Sequence, residues 1–392
     1  MSAESVQPPS GALVGPLEVG PVAHGGHCVA RHDGRVIFVR QAIPGETVMV
    51  RVSDDSKKNF WRGDAVEVIV PSPDRVTPPC PIAGVCGGCD FQHVGAARQL
   101  ELKRQVVAEQ LHRLAGIEWT GTVEQVDPRW GWRTRARYAV EHGEARARVG
   151  MRAHRSHEVV ELPEQGCLIA SDRGPSRSEL DELAQRAGDE IRVVVPAKGA
   201  PLALVGDERH SDALVLESSG GRDFRVRADG FWQVHPAAAE LLVDVAVAGL
   251  QPREGEFGLD LYCGVGLFAG AMADRGVRVT GVESVRSAIR LARQNVPKAR
   301  FIASPLAKAL KQLDRADIVV LDPPRNGAGE QVVRHVAGLT PRAIAYVACD
   351  PAALARDLAT FADAGYRNSS IRAFDLFPMT HHVECVAILE PR

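Results

Sequence analysis

The chain has 392 residues, a net charge of −2, 45% hydrophobic and 24% charged residues, and eight cysteines. That length predicts two or three domains with ample core, and the composition excludes a disulfide scaffold. No apolar run is long enough to span a membrane, and the N-terminal MSAESVQPPSG lacks the basic-then-apolar layout of a secretory signal. A cytoplasmic protein without membrane contact is expected. The near-neutral overall charge leaves nucleic acid open, because only local charge matters to a phosphate chain.

Residues 1–12 read as a disordered tail. Residues 13–72 then supply five short apolar runs, Val14–Val19, Gly26–Ala30, Arg35–Val39, Glu46–Arg51 and Gly63–Val70. Turn residues Gly20-Pro21, Asp33-Gly34 and Pro44-Gly45 separate them. Five strands in so short a span predict a small OB-like β-barrel, a fold that often holds nucleic acid. Lys57-Lys58-Asn59-Phe60-Trp61-Arg62 interleaves cations with aromatics, which suits phosphates and stacked bases, or else caps the barrel. The run GGHCVARHDGRVIFVRQAIPGETV resembles a TRAM domain, an RNA-binding barrel appended to RNA-modifying enzymes.

Residues 73–230 read as a central α+β domain. Cys80, Cys86 and Cys89 stand in CPIAGVCGGCDFQH, where glycines let the backbone curl so that three sulfurs face one centre. A fourth ligand is needed, and Cys167 in EQGCLIAS is the best placed. Three close thiolates and a distant fourth favour a [4Fe-4S] cluster. Zinc is the competing reading, although its structural sites usually pair two short knuckles. A helix is predicted over Arg98–Ala115. The following WGWRTRARYAVEHGEARARVG reads as a strand pair with Arg133, Arg135 and Arg137 on one face beside Trp130, Trp132 and Tyr138. That row is read as a phosphate track with stacking platforms.

Residues 231–392 read as a Rossmann-like parallel sheet. The stretch GLDLYCGVGLFAGAMADRGVRVTGVE predicts a βαβ unit, with glycines at the first turn and the acid Glu283 at the tip of the next strand. Such a turn suits a nucleotide-type cofactor, whose ribose hydroxyls the acid can accept, and does not decide which one. Further strands end in Asp322-Pro323-Pro324-Arg325 and Cys349-Asp350-Pro351, and a last one contains Glu384. Ligands of open parallel sheets bind at the carboxyl ends of the strands, and Tyr262, Glu283, Asp322 and Cys349 all occupy that edge.

The motifs FWQVH, DLYCGVGLF, VTGVE, DPPRNG, VACDPAALARD and FPMTHHVE together resemble the class I S-adenosylmethionine-dependent RNA (uracil-5-)methyltransferases. The barrel and the cysteine turn extend that resemblance over the whole chain. It implies Gln233, Tyr262, Glu283 and Asp322 as cofactor contacts, Cys349 as nucleophile and Glu384 as general base. His235 stands where a typical member has Asn, and Leu267 replaces a polar residue found in some members.

Carbon 5 of uracil is too poor a nucleophile to attack a methyl sulfonium directly. A thiolate that adds to carbon 6 makes an enolate, carbon 5 takes the methyl group, and a carboxylate then removes the carbon 5 proton. The thiol must be ionised, which predicts a depressed pKa with Arg325 as a contributor. The target uridine must leave its stack. Members with both barrel and cluster act mostly on large-subunit ribosomal RNA, so 23S rRNA is the expected substrate and transfer RNA the alternative. A non-catalytic RNA-binding iron–sulfur module and an amino-methyltransferase are the other classes that share these motifs in part. No protein partner is implied, and a monomer is expected.

Overall fold

The computed structural model describes residues 11–144, 146–205 and 212–392, so residues 1–10 of the expected tail lie outside it. Strands β1 (Leu13–Glu18), β2 (Cys28–His32), β3 (Arg35–Arg40), β4 (Thr47–Asp54) and β5 (Phe60–Val70) form one sheet in the order β1-β4-β5-β3-β2. Alternation fixes their inner face: Val48, Val50 and Val52 of β4 and Ile37 and Val39 of β3 are fully buried. The edge strands β1 and β2 approach one another, so the sheet curls into a half-barrel. Of the two readings of Lys57–Arg62, the same alternation favours aromatics that cap the barrel. Trp61 turns into the core beneath Arg35, 4.4 Å from its ring centroid, and Arg62 pairs with Asp54 at 3.0 Å. Phe60 lies edge-on to Phe38 outside the barrel.

Helix α1 (Ala96–Ala115) closely matches its prediction, and Gly116 in the left-handed conformation terminates it. Its apolar side chains serve two cores: Leu102 and Val106 meet the barrel, while Val107 and Leu111 meet the C-terminal sheet. Strand β6 (Val123–Gln125) then joins the far edge of that sheet. Strands β7 (Arg135–His142), β8 (Ala147–Arg152) and β9 (Val159–Glu161) come next, and helix α2 (Arg177–Ala184) packs against β8. With β10 (Glu190–Val194) and β11 (Leu202–Val205) these strands form a sheet in the order β11-β10-β7-β8-β9. A hairpin, β12 (Leu214–Ser219) and β13 (Arg222–Arg227), leads to the C-terminal part.

The arginine row does not survive as a phosphate track. Arg135 is buried under the hairpin, where it pairs with Glu217 at 2.9 Å and donates to the carbonyls of Ala228 and Gly230. Trp132 and Tyr138 are core residues, 0% and 4% exposed. A strand face expected to meet solvent is covered in part by the β12–β13 hairpin, so that of Arg133, Arg135 and Arg137 only Arg137 is exposed.

The C-terminal part begins with α3 (Ala238–Leu250), β14 (Phe257–Leu261), α4 (Leu267–Ala273), β15 (Arg278–Glu283), α5 (Arg286–Asn295) and β16 (Arg300–Ala303). It continues through α6 (Leu306–Ala309), β17 (Ile318–Leu321), α7 (Glu330–Gly338), β18 (Ala343–Ala348), α8 (Pro351–Asp363), β19 (Tyr366–Asp375) and β20 (Glu384–Pro391). Its sheet runs β16-β15-β14-β17-β18-β20-β19-β6, with β14 to β18 parallel and β20 antiparallel between β18 and β19. The chain winds outward from β14 to β16 and then returns to β17. The crevice at that reversal, above the carboxyl ends of β14 and β17, is where such a sheet binds its ligand. Among the described residues, no helix is long and apolar enough to cross a membrane.

Candidate active site

The register of the parallel strands brings the acids together. Leu261 pairs with both Val282 and Leu321, so the next residues, Tyr262, Glu283 and Asp322, stand side by side at the strand tips. Tyr262, Gly264 and Gly266 all take positive φ, at 67°, 52° and 93°, which curls the turn before α4 into a cradle of backbone amides. The Glu283 carboxylate is held by the Val285 amide at 2.8 Å and the Ser284 hydroxyl at 2.9 Å.

Asp260 joins this group although the motif reading passed over it. Its Oδ2 accepts the Ala269 amide at 2.7 Å and so anchors the turn, while Oδ1 is buried without a partner. Burial raises the Asp260 carboxyl to about 7, and the neighbouring Asp322 and Glu283 charges push in the same direction. Burial alone raises Asp322 to about 7. An acid-lined, amide-cradled crevice with an orphaned carboxylate oxygen fits a ligand that carries both ribose hydroxyls and positive charge, as a sulfonium with an α-ammonium does.

Leu267, which departs from the family pattern, packs into the apolar core. His235 replaces Asn without loss of hydrogen bonding: Nε2 donates to the Pro128 carbonyl at 3.1 Å and Nδ1 accepts the Ala237 amide at 3.2 Å. That is the donor–acceptor pair a side-chain amide would supply. Half-buried Gln233 lies on the same segment, which Thr134 ties down through the Val234 carbonyl at 2.9 Å. No described contact joins its side chain to Tyr262, Glu283 or Asp322.

Strand pairing brings Cys349 and Glu384 together. Ala348 at the end of β18 lies opposite Cys385 of antiparallel β20, so one further step of register sets Cys349 opposite Glu384. Glu384 is 4% exposed, and burial first, then Asp322, holds its carboxyl well above the usual range. Cys385 points the other way into the core at 0% exposure, as the alternation of a strand requires.

The expectation of a depressed thiol is corrected. Burial pushes Cys349 up to about 12, and the carboxylates of Glu384, Asp322 and Asp350 reinforce it; Arg325 opposes them and is outweighed. Burial and these carboxylates therefore favour the protonated thiol.

Residues far apart in the chain complete the site. A cavity of about 170 Å³ beside Cys349 is lined by His24 and Gly25 of the half-barrel and by Arg325, Asp350, His381 and His382. His24 Nε2 donates to Asp350 Oδ2 at 2.9 Å. His381 donates through both its backbone N and Nδ1 to Asp90 Oδ2, at 3.0 and 2.6 Å. Arg325 Nη2 donates to His382 Nε2 at 3.3 Å, and burial lowers that imidazole to about 3, which fixes it neutral with its proton on Nδ1. The loop that follows Arg325 is tied down by Asp357 of α8, which accepts the Ala328 amide at 2.7 Å and the Tyr346 hydroxyl at 2.5 Å. Only adjacency in the motifs HHVE and CDP hinted at His381, His382 and Asp350. Nothing local pointed to His24 or Asp90.

Cys80, Cys86, Cys89 and Cys167 are free thiols and line one cavity, with Met151 and Ile169 as apolar wall. Burial raises Cys86 to about 11 and Cys89 to about 12, and the proximity of the other thiols adds to both. The Gly88 amide donates to Cys86 Sγ at 3.3 Å. Among the described residues no group of three or more such ligands is drawn tightly enough to hold a single metal ion.

The sheet order, its amide-cradled crevice and the antiparallel insertion of β20 define the Rossmann-like methyltransferase class. The family described as tRNA (Uracil-5-)-methyltransferase matches residues 306–392, and the TRAM domain matches residues 15–66. The chain is 46% identical to an uncharacterized RNA methyltransferase of Streptomyces avermitilis, over 96% of this chain and 98% of that one. It is 34% identical to the 23S rRNA (uracil(1939)-C(5))-methyltransferase RlmD of Alkalilimnicola ehrlichii, over 94% and 95% of the two chains. Among solved structures it resembles the Pyrococcus abyssi tRNA (uracil-54, C5)-methyltransferase in complex with S-adenosyl-L-homocysteine, with a TM-score of 0.71 and 25% identity over 95% and 99%. The chain belongs to the RNA uracil-5-methyltransferase family, and it is an enzyme of that family with a TRAM domain at its N-terminal side.

Proposed function

We propose that this enzyme methylates carbon 5 of a uridine in 23S ribosomal RNA, with S-adenosylmethionine as methyl donor. The observation that carries the reading is the register that sets the Cys349 thiol opposite the buried Glu384 carboxyl, at the edge shared with the acid-lined crevice. Asp260, Tyr262, Glu283 and Asp322 would hold the donor, with Gln233 on the adjoining segment. Bound there, S-adenosylmethionine supplies a methyl group made electrophilic by its sulfonium.

The Cys349 thiol loses its proton to water and its sulfur adds to carbon 6 of the flipped-out uracil, which places the electron pair on the enolate oxygen and carbon 5. After carbon 5 has been methylated, Glu384 takes the carbon 5 proton and the carbon–sulfur bond breaks to release Cys349. Burial suits Glu384 to this role, because a carboxylate deprived of water is a stronger base than one in solvent. The ribosomal target rests on the relatives that carry that specificity over nearly the whole length of this chain. Incubation with tritiated donor and RNA from cells lacking the gene tests it: label in 5-methyluridine of 23S RNA is the expected result. Label confined to transfer RNA, the substrate of the solved relative, would contradict the ribosomal assignment.

Cys80, Cys86, Cys89 and Cys167 are read as ligands of a [4Fe-4S] cluster. Support comes from four free thiols, three of them within one short glycine-containing turn, that line one apolar-walled cavity. Anaerobically purified protein should contain about four irons per chain, the complement of one such cluster. Colourless protein with stoichiometric zinc would contradict it.

A further inference from the structure

We propose that His24, on the half-barrel, is a positioning residue for the nucleophile, so that the TRAM domain forms part of the catalytic centre as well as an RNA-binding appendage. This rests on the reading of Cys349 as nucleophile. His24 lies in the connection between β1 and β2, 326 positions from its partner Asp350. Asp350 directly follows Cys349 and caps α8: its Oδ1 accepts the Ala353 amide at 2.8 Å while its Oδ2 accepts His24 Nε2–H at 2.9 Å. One carboxylate therefore fixes both the start of the helix and the orientation of the turn that carries the sulfur. The hydrogen bond to Asp350 raises the His24 imidazole, which keeps a proton on the donating nitrogen.

The same connection makes a second, independent contact with the site. Gly26 takes φ 78°, and a Cβ there would stand 2.5 Å from His381 Cβ, so the backbone is pressed directly against the segment that leads into Glu384. Gly25 and His24 also form part of the wall of the cavity beside Cys349. The half-barrel thus touches the nucleophile's turn on one side and the base's approach on the other. The His24–Asp350 pair is partly exposed, with side chains 42% and 22% accessible, so it contributes little to folding stability. Its consequence is geometric, and small displacements of a reacting atom cost rate heavily.

The test uses full-length enzyme purified anaerobically, tritiated S-adenosylmethionine and total RNA from cells lacking the gene. His24→Ala should melt at the wild-type temperature and bind S-adenosylmethionine as wild type does. Its kcat for methyl transfer should fall by about tenfold or more, with KM for RNA unchanged. His24→Gln, which keeps a donor near the same place, should recover most of the rate. Asp350→Asn retains the helix cap but sets an amide against His24, and should be slowed to a similar degree. The double variant His24→Ala, Asp350→Asn should be no slower than the worse single one. A wild-type kcat in His24→Ala, a rise in KM alone, or no recovery by Gln would each overturn the proposal. Failure of wild-type enzyme to methylate any RNA, or full activity of Cys349→Ala, would instead overturn the catalytic reading beneath it.

Discussion

At the scale of single residues, two buried carboxyls, Asp260 and Glu384, and the half-buried Asp322 distinguish this site from an ordinary sheet edge. Asp260 and Asp322 are raised to about 7 and Glu384 well above its usual range, chiefly because the fold withholds water from them. The sign of the consequence for stability follows from linkage. A carboxyl whose folded pKa exceeds its unfolded value near 4 favours the folded state while protonated, and that contribution is lost as pH rises through the folded pKa. Asp322→Asn removes this titration and keeps the shape. Without cofactor, the variant's melting temperature relative to wild type should climb between pH 5 and pH 8 and then level off. A constant difference across that range would mean that Asp322 is solvated and unshifted. Cys349, Glu283 and Asp322 were legible because each falls at a strand tip that the apolar runs define, whereas Glu384 and the roles of all four came only from the resemblance to the family. The thiol's raised pKa was not legible, because its chief cause, burial, and the Glu384 and Asp322 carboxylates beside it arise from the tertiary fold.

Elements formed where local signals agreed. Helix α4 spans Leu267–Ala273 and strand β18 spans Ala343–Ala348, as their apolar runs predicted. What sequence periodicity could not give was which side of an element another would cover. The arginines of β7 alternate as a solvent-facing row should, yet the hairpin β12–β13 buries Arg135. Helix α1 reads as amphipathic with a charged face, and one of those charges is wholly enclosed. Lys103 is 1% exposed and donates to Asp375, at the end of β19, at 2.5 Å and to the Phe377 carbonyl at 3.1 Å. Burial lowers the lysine's pKa while Asp375 works to keep it charged. Removing one member of such a pair strands the other's charge out of water. Lys103→Ala should therefore cost about 3–5 kcal/mol in a denaturant titration. The apolar pair Lys103→Met with Asp375→Leu should recover much of that loss. A cost under about 1 kcal/mol, typical of exposed pairs, would show that water reaches the pair.

Across the whole molecule, the cavity beside Cys349 is assembled from all three parts of the chain. The half-barrel supplies His24, helix α1 supplies Val106, and the C-terminal part supplies Arg325, Cys349, His381 and His382, with His381 held by Asp90 of the cysteine-bearing turn. Asp90 adjoins Cys89, and the Asp90 and Phe91 amides donate to the Met379 carbonyl at 2.8 and 3.0 Å. The turn read as a cluster site is thus bound to the segment that leads into Glu384. None of this convergence is encoded locally, which is why the motifs placed the chemistry while the walls around it emerged only from the fold.

The central claim is that Cys349 and Glu384 act in sequence on one base, and the intermediates that variants accumulate test it most directly. Glu384→Gln retains the nucleophile and the cofactor crevice but lacks the group that takes the carbon 5 proton. Incubated with labelled S-adenosylmethionine and RNA from cells lacking the gene, it should accumulate a methylated protein–RNA complex that survives a denaturing gel. Cys349→Ala should form none, and neither should the double variant, because addition precedes proton removal. Normal turnover by Glu384→Gln, or a cross-link that persists without Cys349, would contradict the account.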